Sequence, residues 1–396
     1  MLRIAWQMLV ADRAKYFGLL FGIAFTSFLV TFAASYFCGF MTEGFSLVSE
    51  NGAADVWVMD PAMESAEQTI NLPDSALAQV RNVEGVRHAE PLALGTVEAR
   101  FPNGRFQSFQ VIGVDDATLA GAPAIGGTSV SELRANNAVI VDAGGTSDKL
   151  ETPIAKADQW PHDGVHLDVP TRELDKGDEL LVNEKLVRVL ARSHGLPRFP
   201  PRPLMYTTLG NAARILPSER HTLTFVMASA ADGVSPRDLA TRIERRTGLR
   251  ARSAADFKAD TVRWFLINSE DVGDIGAMLI LAMTMGFGVT GIMLYMFTYE
   301  NQKQYAVLKA LGATSKTLLR MIFTQAAISA LIGTGIGLGV CALAGEAVVA
   351  MGFPFRMMWF TPLVGMLGVT LVSLTAAAIS ARPVLRLQPA VVFAGR

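Results

Sequence analysis

The stretch YFGLLFGIAFTSFLVTFAASYFCGFMT, residues 16–42, contains no Asp, Glu, Lys or Arg. Three further stretches share this property, at residues 275–299, 321–345 and 357–381. Each has about 25 residues, whereas a helix needs roughly 20 apolar residues to cross a bilayer. A core helix of a soluble protein is usually shorter and keeps a polar face. The four stretches therefore predict four transmembrane helices.

The composition excludes several classes of protein. Of the 396 residues, 35 are Lys or Arg and 36 are Asp or Glu, and the apolar share is 51%. Low charge with high apolarity excludes intrinsic disorder, and the balanced charge gives no reason to expect a nucleic-acid partner. The two cysteines, Cys38 and Cys341, both lie in apolar stretches. The sequence therefore predicts neither a disulfide framework nor a cysteine-rich metal site.

Charged residues in the short flanking segments predict the orientation of the helices, because cytoplasmic flanks carry an excess of Lys and Arg. Three flanks are net basic. They contain Arg3, Arg13 and Lys15, then Lys303, Lys309, Lys316 and Arg320 against Glu300, and finally Arg382, Arg386 and Arg396. We place these flanks in the cytoplasm. The loop with Glu346 and Arg356 and the long segment 43–274 then face outward.

The predicted fold class is a membrane α-helical protein with four transmembrane helices and a large extracytoplasmic mixed α/β domain inserted between helices 1 and 2. A signal peptide is the alternative for the first stretch, but its hydrophobic region would have only about 7–15 residues. The predicted segments are a cytoplasmic N-terminus (1–15), helix 1 (16–42), an outer α/β domain (43–274), helix 2 (275–299), a cytoplasmic helical segment (300–320), helix 3 (321–345), an outer loop (346–356), helix 4 (357–381) and a cytoplasmic tail (382–396).

The outer segment is long enough to bury its own core. Residues 54–59 form a short β-rich run, and Pro73 suits the N-terminus of a helix. Residues 180–191 suit a hairpin that turns near residues 183–185, and residues 236–247 suit an amphipathic helix. We expect two βαβ-like pieces that flank an inserted part richer in strands.

No catalytic constellation is evident in the outer segment. It holds the five histidines His88, His162, His166, His194 and His221. His162 and His166 have a spacing that could ligate a metal on a helix, but Pro161 and Gly164 argue against a helix there. The chain has no G-x-S-x-G or H-E-x-x-H motif and no P-loop. We predict no catalytic residue and no metal site in this chain.

The inner segment 299–313 reads YENQKQYAVLKALGA. Tyr305, Leu308 and Leu311 are spaced to share one apolar helical face, and Gly312 suits the end of that helix. Thr314 or Ser315 can cap the next helix. The residues alone leave two interpretations open. The segment is either a juxtamembrane turn whose lysines fix the topology or a short amphipathic helix with a function of its own.

This segment resembles the E-R-x-x-E-[IF]-G-[IV]-L-[KR]-A-L-G-A signature of the MacB/FtsX-like ABC transporter permeases. Glu300 and VLKALGA at 307–313 match it, whereas Gln304, Tyr305 and Ala306 depart from it. RPVLRLQPA at 382–390 is similar to the family's C-terminal tail. Further similar stretches are LPDSALAQVRNVEGVRHAEPL (72–92), VIGVDD (111–116), KGDELLVNEKLVRVLA (176–191) and, for the DevC-type exporter permeases, MYTTLGNAARI (205–215).

The resemblance implies a permease subunit in the bacterial inner membrane, with both termini cytoplasmic, that works with a separate ABC ATPase. ATP and Mg²⁺ would be bound by that ATPase, and this chain would hold no cofactor. The implied partners include a second permease copy, a periplasmic adaptor, an outer-membrane duct and the lipid bilayer. The implied mode of action is mechanotransmission. The predicted ATPase-coupling residues are Glu300, Lys303, Gln304, Leu308, Lys309, Leu311 and Gly312.

Two functions are compatible with the sequence, and a third class, a membrane-anchored enzyme, lacks the residues that it requires. Export or extraction of a substrate at the periplasmic side is the leading one. The alternative is a signal relay that activates a periplasmic cell-wall hydrolase, although relays of this family carry a smaller outer domain. A membrane-anchored enzyme would need a catalytic constellation. Gly333, Gly335, Gly337 and Gly339 form two overlapping G-x-x-x-G pairs, which suit either a dimer face or packing against helix 2 or 4 of the same subunit.

Overall fold

The computed structural model describes residues 7, 13–52, 54–126, 129–146, 149–162, 164–217 and 223–385. The chain divides into two compact units. The membrane unit comprises Met1–Phe40 with Ser269–Arg396, and the α/β unit comprises Met41–Asn268. Of the residues used above, Arg3, His221, Arg386, Arg396 and most of the C-terminal tail lie outside the described residues.

The elements follow one another in a simple order. The described helices are α1 (Arg13–Gly44), α2 (Ser46–Glu50), α3 (Ala76–Arg81), α4 (Leu209–Ile215), α5 (Pro236–Thr247), α6 (Ala254–Asn268), α7 (Glu270–Glu300), α8 (Gln302–Ala310), α9 (Ser315–Ala350) and α10 (Thr361–Leu385). The described strands are β1 (Val56–Met59), β2 (Val86–Arg100), β3 (Phe106–Val114), β4 (Ala138–Asp142), β5 (Glu151–Pro153), β6 (Thr171–Glu173), β7 (Glu179–Val182), β8 (Lys185–Ser193), β9 (Leu204–Thr208), β10 (Phe225–Ala230) and β11 (Arg250–Ser253).

The four predicted apolar helices are confirmed as α1, α7, α9 and α10, each long and apolar enough to cross a membrane. Several predicted boundaries are wrong. The helix expected over residues 300–320 ends at Ala310, and residues 315–320 belong to α9. Helix α9 continues to Ala350, so Glu346 lies within the helix and not in the outer loop. Helix α10 begins at Thr361, so residues 357–360 are not helical. A proline at the second position of α10 suits this later start, since its missing N–H needs no partner there.

The α/β unit is built on a nine-stranded sheet in the order β11-β1-β10-β2-β3-β9-β4-β8-β7. Strand β10 lies between β1 and β2 and is antiparallel to both, so β1-α3-β2 is a split βαβ unit. Strand β1 likewise separates β10 from β11, which makes β10-α5-β11 a second split βαβ unit. The two predicted βαβ-like pieces and the strand-rich insert between them are therefore confirmed.

Local predictions in the α/β unit vary in accuracy. The β7–β8 hairpin is confirmed, with Asn183 and Glu184 at positive φ in its two-residue turn. Helix α3 begins at Ala76, three residues after the proline that was expected to start it. Side by side in the core, the rings of Trp57, Phe225 and Phe257 pack with centroids 5.2–5.9 Å apart.

The membrane unit packs through small residues. A methyl group added at Gly333 would lie 2.6 Å from Ile23 Cγ2, and one at Gly337 would collide with the Ala24 carbonyl oxygen. Both of these α9 glycines therefore face α1, and the prediction of packing against helix 2 or 4 is wrong for them. The other pair, Gly335 and Gly339, faces open space. Small side chains allow the backbones of two helices to approach closely. Such packing holds membrane helices together, because lipid solvates an apolar helix surface as well as another helix does.

Candidate functional site

A single residue separates α7 from the short helix α8. Asn301 donates from its side-chain amide to the Phe297 carbonyl at 2.7 Å, which closes the end of α7. Its own carbonyl accepts from the backbone N–H groups of Gln304 (3.0 Å) and Tyr305 (3.1 Å), which starts α8. The chain thus turns without a loop, and the short amphipathic helix expected in the inner segment is present.

The inner face of α8 is fixed to the helical bundle by Tyr305. This side chain is fully buried, and its hydroxyl donates to Gln325 Oε1 of α9 at 2.9 Å. Burial raises the pKa of Tyr305, so the hydroxyl keeps the proton that it donates. Ala306 is buried beside it. The sequence placed Tyr305 on an apolar helical face and showed it as a departure from the family signature, but it could not reveal the partner, which lies 20 residues further along the chain.

The outer face of α8 carries the exposed side chains. Val307 is 42% exposed and Leu311, directly after the helix, is 79% exposed. Lys303 and Gln304 are exposed on the same side. Positions 303, 307 and 311 are four residues apart and form one stripe along the helix. We call Lys303, Gln304, Val307 and Leu311 the α8 outer face.

The predicted apolar face is confirmed for Tyr305 and Leu308, which both face the bundle core, and it is wrong for Leu311. Tyr305 points into the bundle, Leu308 is half-buried against the bundle core, and Leu311 is exposed. The bundle takes the tyrosine because Gln325 satisfies its hydroxyl, which periodicity cannot reveal. Val307 replaces Leu308 as the exposed apolar residue, and sequence reasoning had missed it.

The remaining predicted coupling residues lie at the two ends of α8. Glu300, the last residue of α7, forms an ion pair with Lys15 of α1. Lys309 is half-buried. Gly312 has φ +94° and its N–H donates to the Lys309 carbonyl at 3.1 Å, so a left-handed residue ends the helix as predicted. Thr314 then caps α9 through its side chain.

The histidines of the α/β unit form no cluster. His166 Nδ1 lies 3.0 Å from Asp158 Oδ1 in a partly buried pair. Among the described residues, no group of three or more His, Cys, Asp or Glu side chains is placed to hold a metal ion. Within the described ranges, α8 is therefore the candidate functional site, and no metal centre is found there.

One comparison with known protein families matches the part of the chain that contains α8. Residues 276–389 match the family described as FtsX-like permease C-terminal. The predicted resemblance to FtsX-like permeases is confirmed for this segment, which contains α8 and three of the apolar helices. The DevC-type assignment is not confirmed. No curated protein matches the chain.

Two solved structures are similar to the chain at low identity. The periplasmic region of MacB from Actinobacillus actinomycetemcomitans is 10% identical, with a TM-score of 0.34 over 55% of this chain and 96% of that one. The extracellular domain of the noncanonic ABC-type transporter YknZ from Gram-positive bacteria is 12% identical, with a TM-score of 0.32 over 50% of this chain and 98% of that one. At these TM-scores the likeness adds no argument, so the resemblance rests on residues 276–389.

Proposed function

We propose that this chain is the permease subunit of an ABC transporter and couples ATP hydrolysis by a separate ATPase chain to export or extraction at the periplasmic side. The observation that carries the proposal is the α8 outer face. It presents two apolar side chains and a lysine to solvent, on a helix whose opposite face is anchored in the bundle through Tyr305. The match of residues 276–389 to FtsX-like permeases supports it.

The chemistry of this face suits helix-in-groove recognition. Val307 and Leu311 would enter an apolar groove on the ATPase, as anchor residues spaced along one helical stripe do. Lys303 would lie at the polar rim, where charge sets orientation and rate of association more than affinity. ATP and Mg²⁺ would be held by the ATPase. The buried Tyr305 would make α8 move as one body with the bundle, so that movement of the ATPase reaches the membrane helices.

The remaining features concern the path of the substrate. The four apolar stretches contain no Asp, Glu, Lys or Arg. Charged residues within a membrane usually mark a polar pathway. Their absence from these stretches favours mechanotransmission, in which the substrate is moved outside the membrane by an α/β unit on the periplasmic side. The same proposal includes an inner-membrane location, cytoplasmic termini, a second permease copy, a periplasmic adaptor and an outer-membrane duct.

The test is reconstitution of the chain in nanodiscs with the ABC ATPase encoded beside it. We expect a stable complex and an ATP hydrolysis rate that changes when the permease is added. Leu311→Asp should raise the dissociation constant at least about tenfold, because an apolar side chain of this size contributes roughly 1.5–3 kcal/mol when buried. Leu308→Asp is a poorer probe, since Leu308 also packs against the bundle core.

Met351→Asp is the matched control. Met351 is also an exposed apolar residue, directly after the opposite end of α9, and its substitution should leave ATPase binding unchanged. No complex with the ATPase, or equal binding by Leu311→Asp and wild type, would overturn the assignment of the α8 outer face.

A further inference from the structure

One loop of the strand-rich insert contacts both helices that adjoin the membrane helices in the chain. This loop, residues 194–203 between β8 and β9, is called the junction loop here. Helix α2 follows α1 after the single residue Phe45, and α6 precedes α7 with only Ser269 between them. Helices α2 and α6 are therefore the first and last helical segments of the α/β unit after and before the membrane helices.

The junction loop contacts α2 through Arg198, whose residue is only 2% exposed. Its guanidinium donates through Nη1 to Ser46 Oγ at 2.8 Å and through Nη2 to Glu50 Oε2 at 2.5 Å. The backbone N–H of Leu196 donates to the other carboxylate oxygen of Glu50 at 2.5 Å. The Tyr206 hydroxyl lies 3.3 Å from both the arginine and the carboxylate. The junction loop thus contacts both ends of α2, and Tyr206 of β9 adds a contact at Glu50.

The same loop contacts α6 through the next residue along the chain. The rings of Phe199 and Phe265 meet edge to face with centroids 6.3 Å apart. Phe265 also packs at the end of α1, where a methyl group added at Gly44 would lie 2.5 Å from Phe265 Cε2. Within the α/β unit, adjacent residues of one loop therefore touch the segments that lead from the first membrane helix and into the second.

The junction loop is also bonded to the sheet of the insert. Asp142, at the end of β4, accepts from Ser193 Oγ at 2.6 Å, from the Gly195 N–H at 2.7 Å and from the Gly144 N–H at 2.9 Å. The Arg198 N–H donates to the Gly144 carbonyl at 3.1 Å. A displacement of the loop must therefore carry β4 and β8 with it, because these bonds are shared between the loop and the ends of both strands.

An ion pair that is largely removed from water, such as Arg198 with Glu50, contributes little net stability to a fold. Desolvation of both charges offsets much of their attraction, and well-packed apolar residues often stabilise a protein equally well. An arginine differs from an apolar residue in geometry, since its planar fork can hold two partners at fixed directions. Here the fork holds Ser46 and Glu50, four residues apart on α2, so it fixes the direction of that helix relative to the loop.

We propose that Arg198 is a positioning residue that transmits movement of α2 and α6 to the strand-rich insert. The inference rests on the proposed permease function and adds to it the point at which movement enters the insert. When the helices shift, the guanidinium moves with Ser46 and Glu50, Phe199 moves with Phe265, and the loop moves the sheet through Asp142.

The test uses the full chain in nanodiscs with its ATPase. Cys38 and Cys341 are replaced by Ala, and spin labels are placed at two exposed positions, Asp232 after β10 and Glu184 in the β7–β8 turn. The label separation is measured by pulsed electron paramagnetic resonance with and without a non-hydrolysable ATP analogue. We expect the analogue to change the separation in the otherwise wild-type chain.

Arg198→Lys keeps the charge but loses the fork, and it should abolish the change in separation while complex formation and basal ATP hydrolysis persist. The double variant Glu50→Gln/Arg198→Met removes both charges, so no unpaired charge is left buried, and it should have the same effect. Arg172→Lys is the matched control, because Arg172 holds Asp178 through two 2.7 Å bonds elsewhere in the same unit. It should retain the wild-type change.

The outcomes separate the two proposals. A wild-type complex whose label separation ignores the analogue, or variants that respond as wild type does, would overturn the role of Arg198 and leave the permease function intact. A wild-type chain that forms no complex with the ATPase would overturn the permease function, and the proposed transmission would fall with it.

Discussion

The α/β unit buries its largest apolar side chains, whereas the membrane unit has a buried core and also leaves many large apolar side chains exposed. In the α/β unit Trp57, Phe225 and Phe257 lie at the centre of the core and are fully buried. In the membrane unit Phe21 and Leu331 are 70% and 71% exposed, and several of the close helix contacts are made by glycine with serine or threonine. Burial from water drives the first arrangement. The second arises because lipid solvates a large apolar side chain as well as a neighbouring helix does.

The same residue type therefore carries a different meaning in each unit. A glycine in the α/β unit commonly serves a turn, as Gly248 does at φ +72° after α5. A glycine in the membrane unit can mark a helix contact, as Gly286 does where an added methyl group would collide with Thr26. A buried hydroxyl also links two membrane helices, since Ser35 of α1 donates to Thr361 of α10 at 3.2 Å.

The largest expected effect tests packing by small residues. Gly337→Leu should prevent assembly of the membrane unit, because its side chain would overlap Ala24 and Ser27 of α1. Gly339→Leu on the same helix meets open space and should assemble normally. Yield of monodisperse protein in detergent and resistance to proteolysis measure the difference. Equal behaviour of the two variants would show that assembly of the membrane unit does not require a small residue at position 337.

The next effect tests packing by large residues. Trp57→Ala should destabilise the α/β unit by about 3–5 kcal/mol, since it empties the space between two aromatic rings. Hydrogen exchange of the β10 amides in the full chain reports this loss. Phe106→Ala, at a 63% exposed aromatic position, serves as the control and should change exchange little.

A smaller effect is expected in α8 of the membrane unit, where one large side chain is both buried and hydrogen-bonded. Tyr305→Phe removes the buried hydrogen bond to Gln325 Oε1, and a hydrogen bond of this kind contributes about 0.5–1.5 kcal/mol. We expect faster hydrogen exchange in α8 with the bundle otherwise intact. Thr324→Val, which removes a bond to a carbonyl of the same helix on an exposed side chain, should leave α8 unchanged. Unaltered α8 exchange in Tyr305→Phe would mean that the tyrosine does not anchor the helix.

The smallest effect concerns a surface contact in the α/β unit. Hydrogen bonds from Arg237 and Ser253 lower the pKa of Asp256, in the first turn of α6. A carboxylate with a lowered pKa stabilises the folded state at pH values above its pKa in the unfolded chain, which is roughly 4. This stabilisation is lost as the pH falls below that value. Protection of the α6 amides should decrease over that acid range. Asp256→Asn should flatten the decrease, and Asp74→Asn, at an exposed acid outside α6, should leave it as in wild type.

Features set by local chemistry could be predicted from the sequence. Lack of charge located the four apolar helices, and the strand pattern with its turn located the β7–β8 hairpin. Features set by distant partners could not. The inward position of Tyr305 depends on Gln325, and the burial of Arg198 in a segment rich in Gly and Pro depends on Glu50, 148 residues earlier in the chain. The roles predicted for the coupling residues remain predictions.

The pairing of β1 with β11 has a consequence for how such a chain could have arisen. The first and last strands of the α/β unit are antiparallel neighbours, with Val56 opposite Ser253, so the start of β1 and the end of β11 lie at adjacent points of one sheet. A domain whose ends are close can be inserted between two helices of an existing protein without separating them. The sheet of the α/β unit thus meets the geometric requirement for exchange as one module.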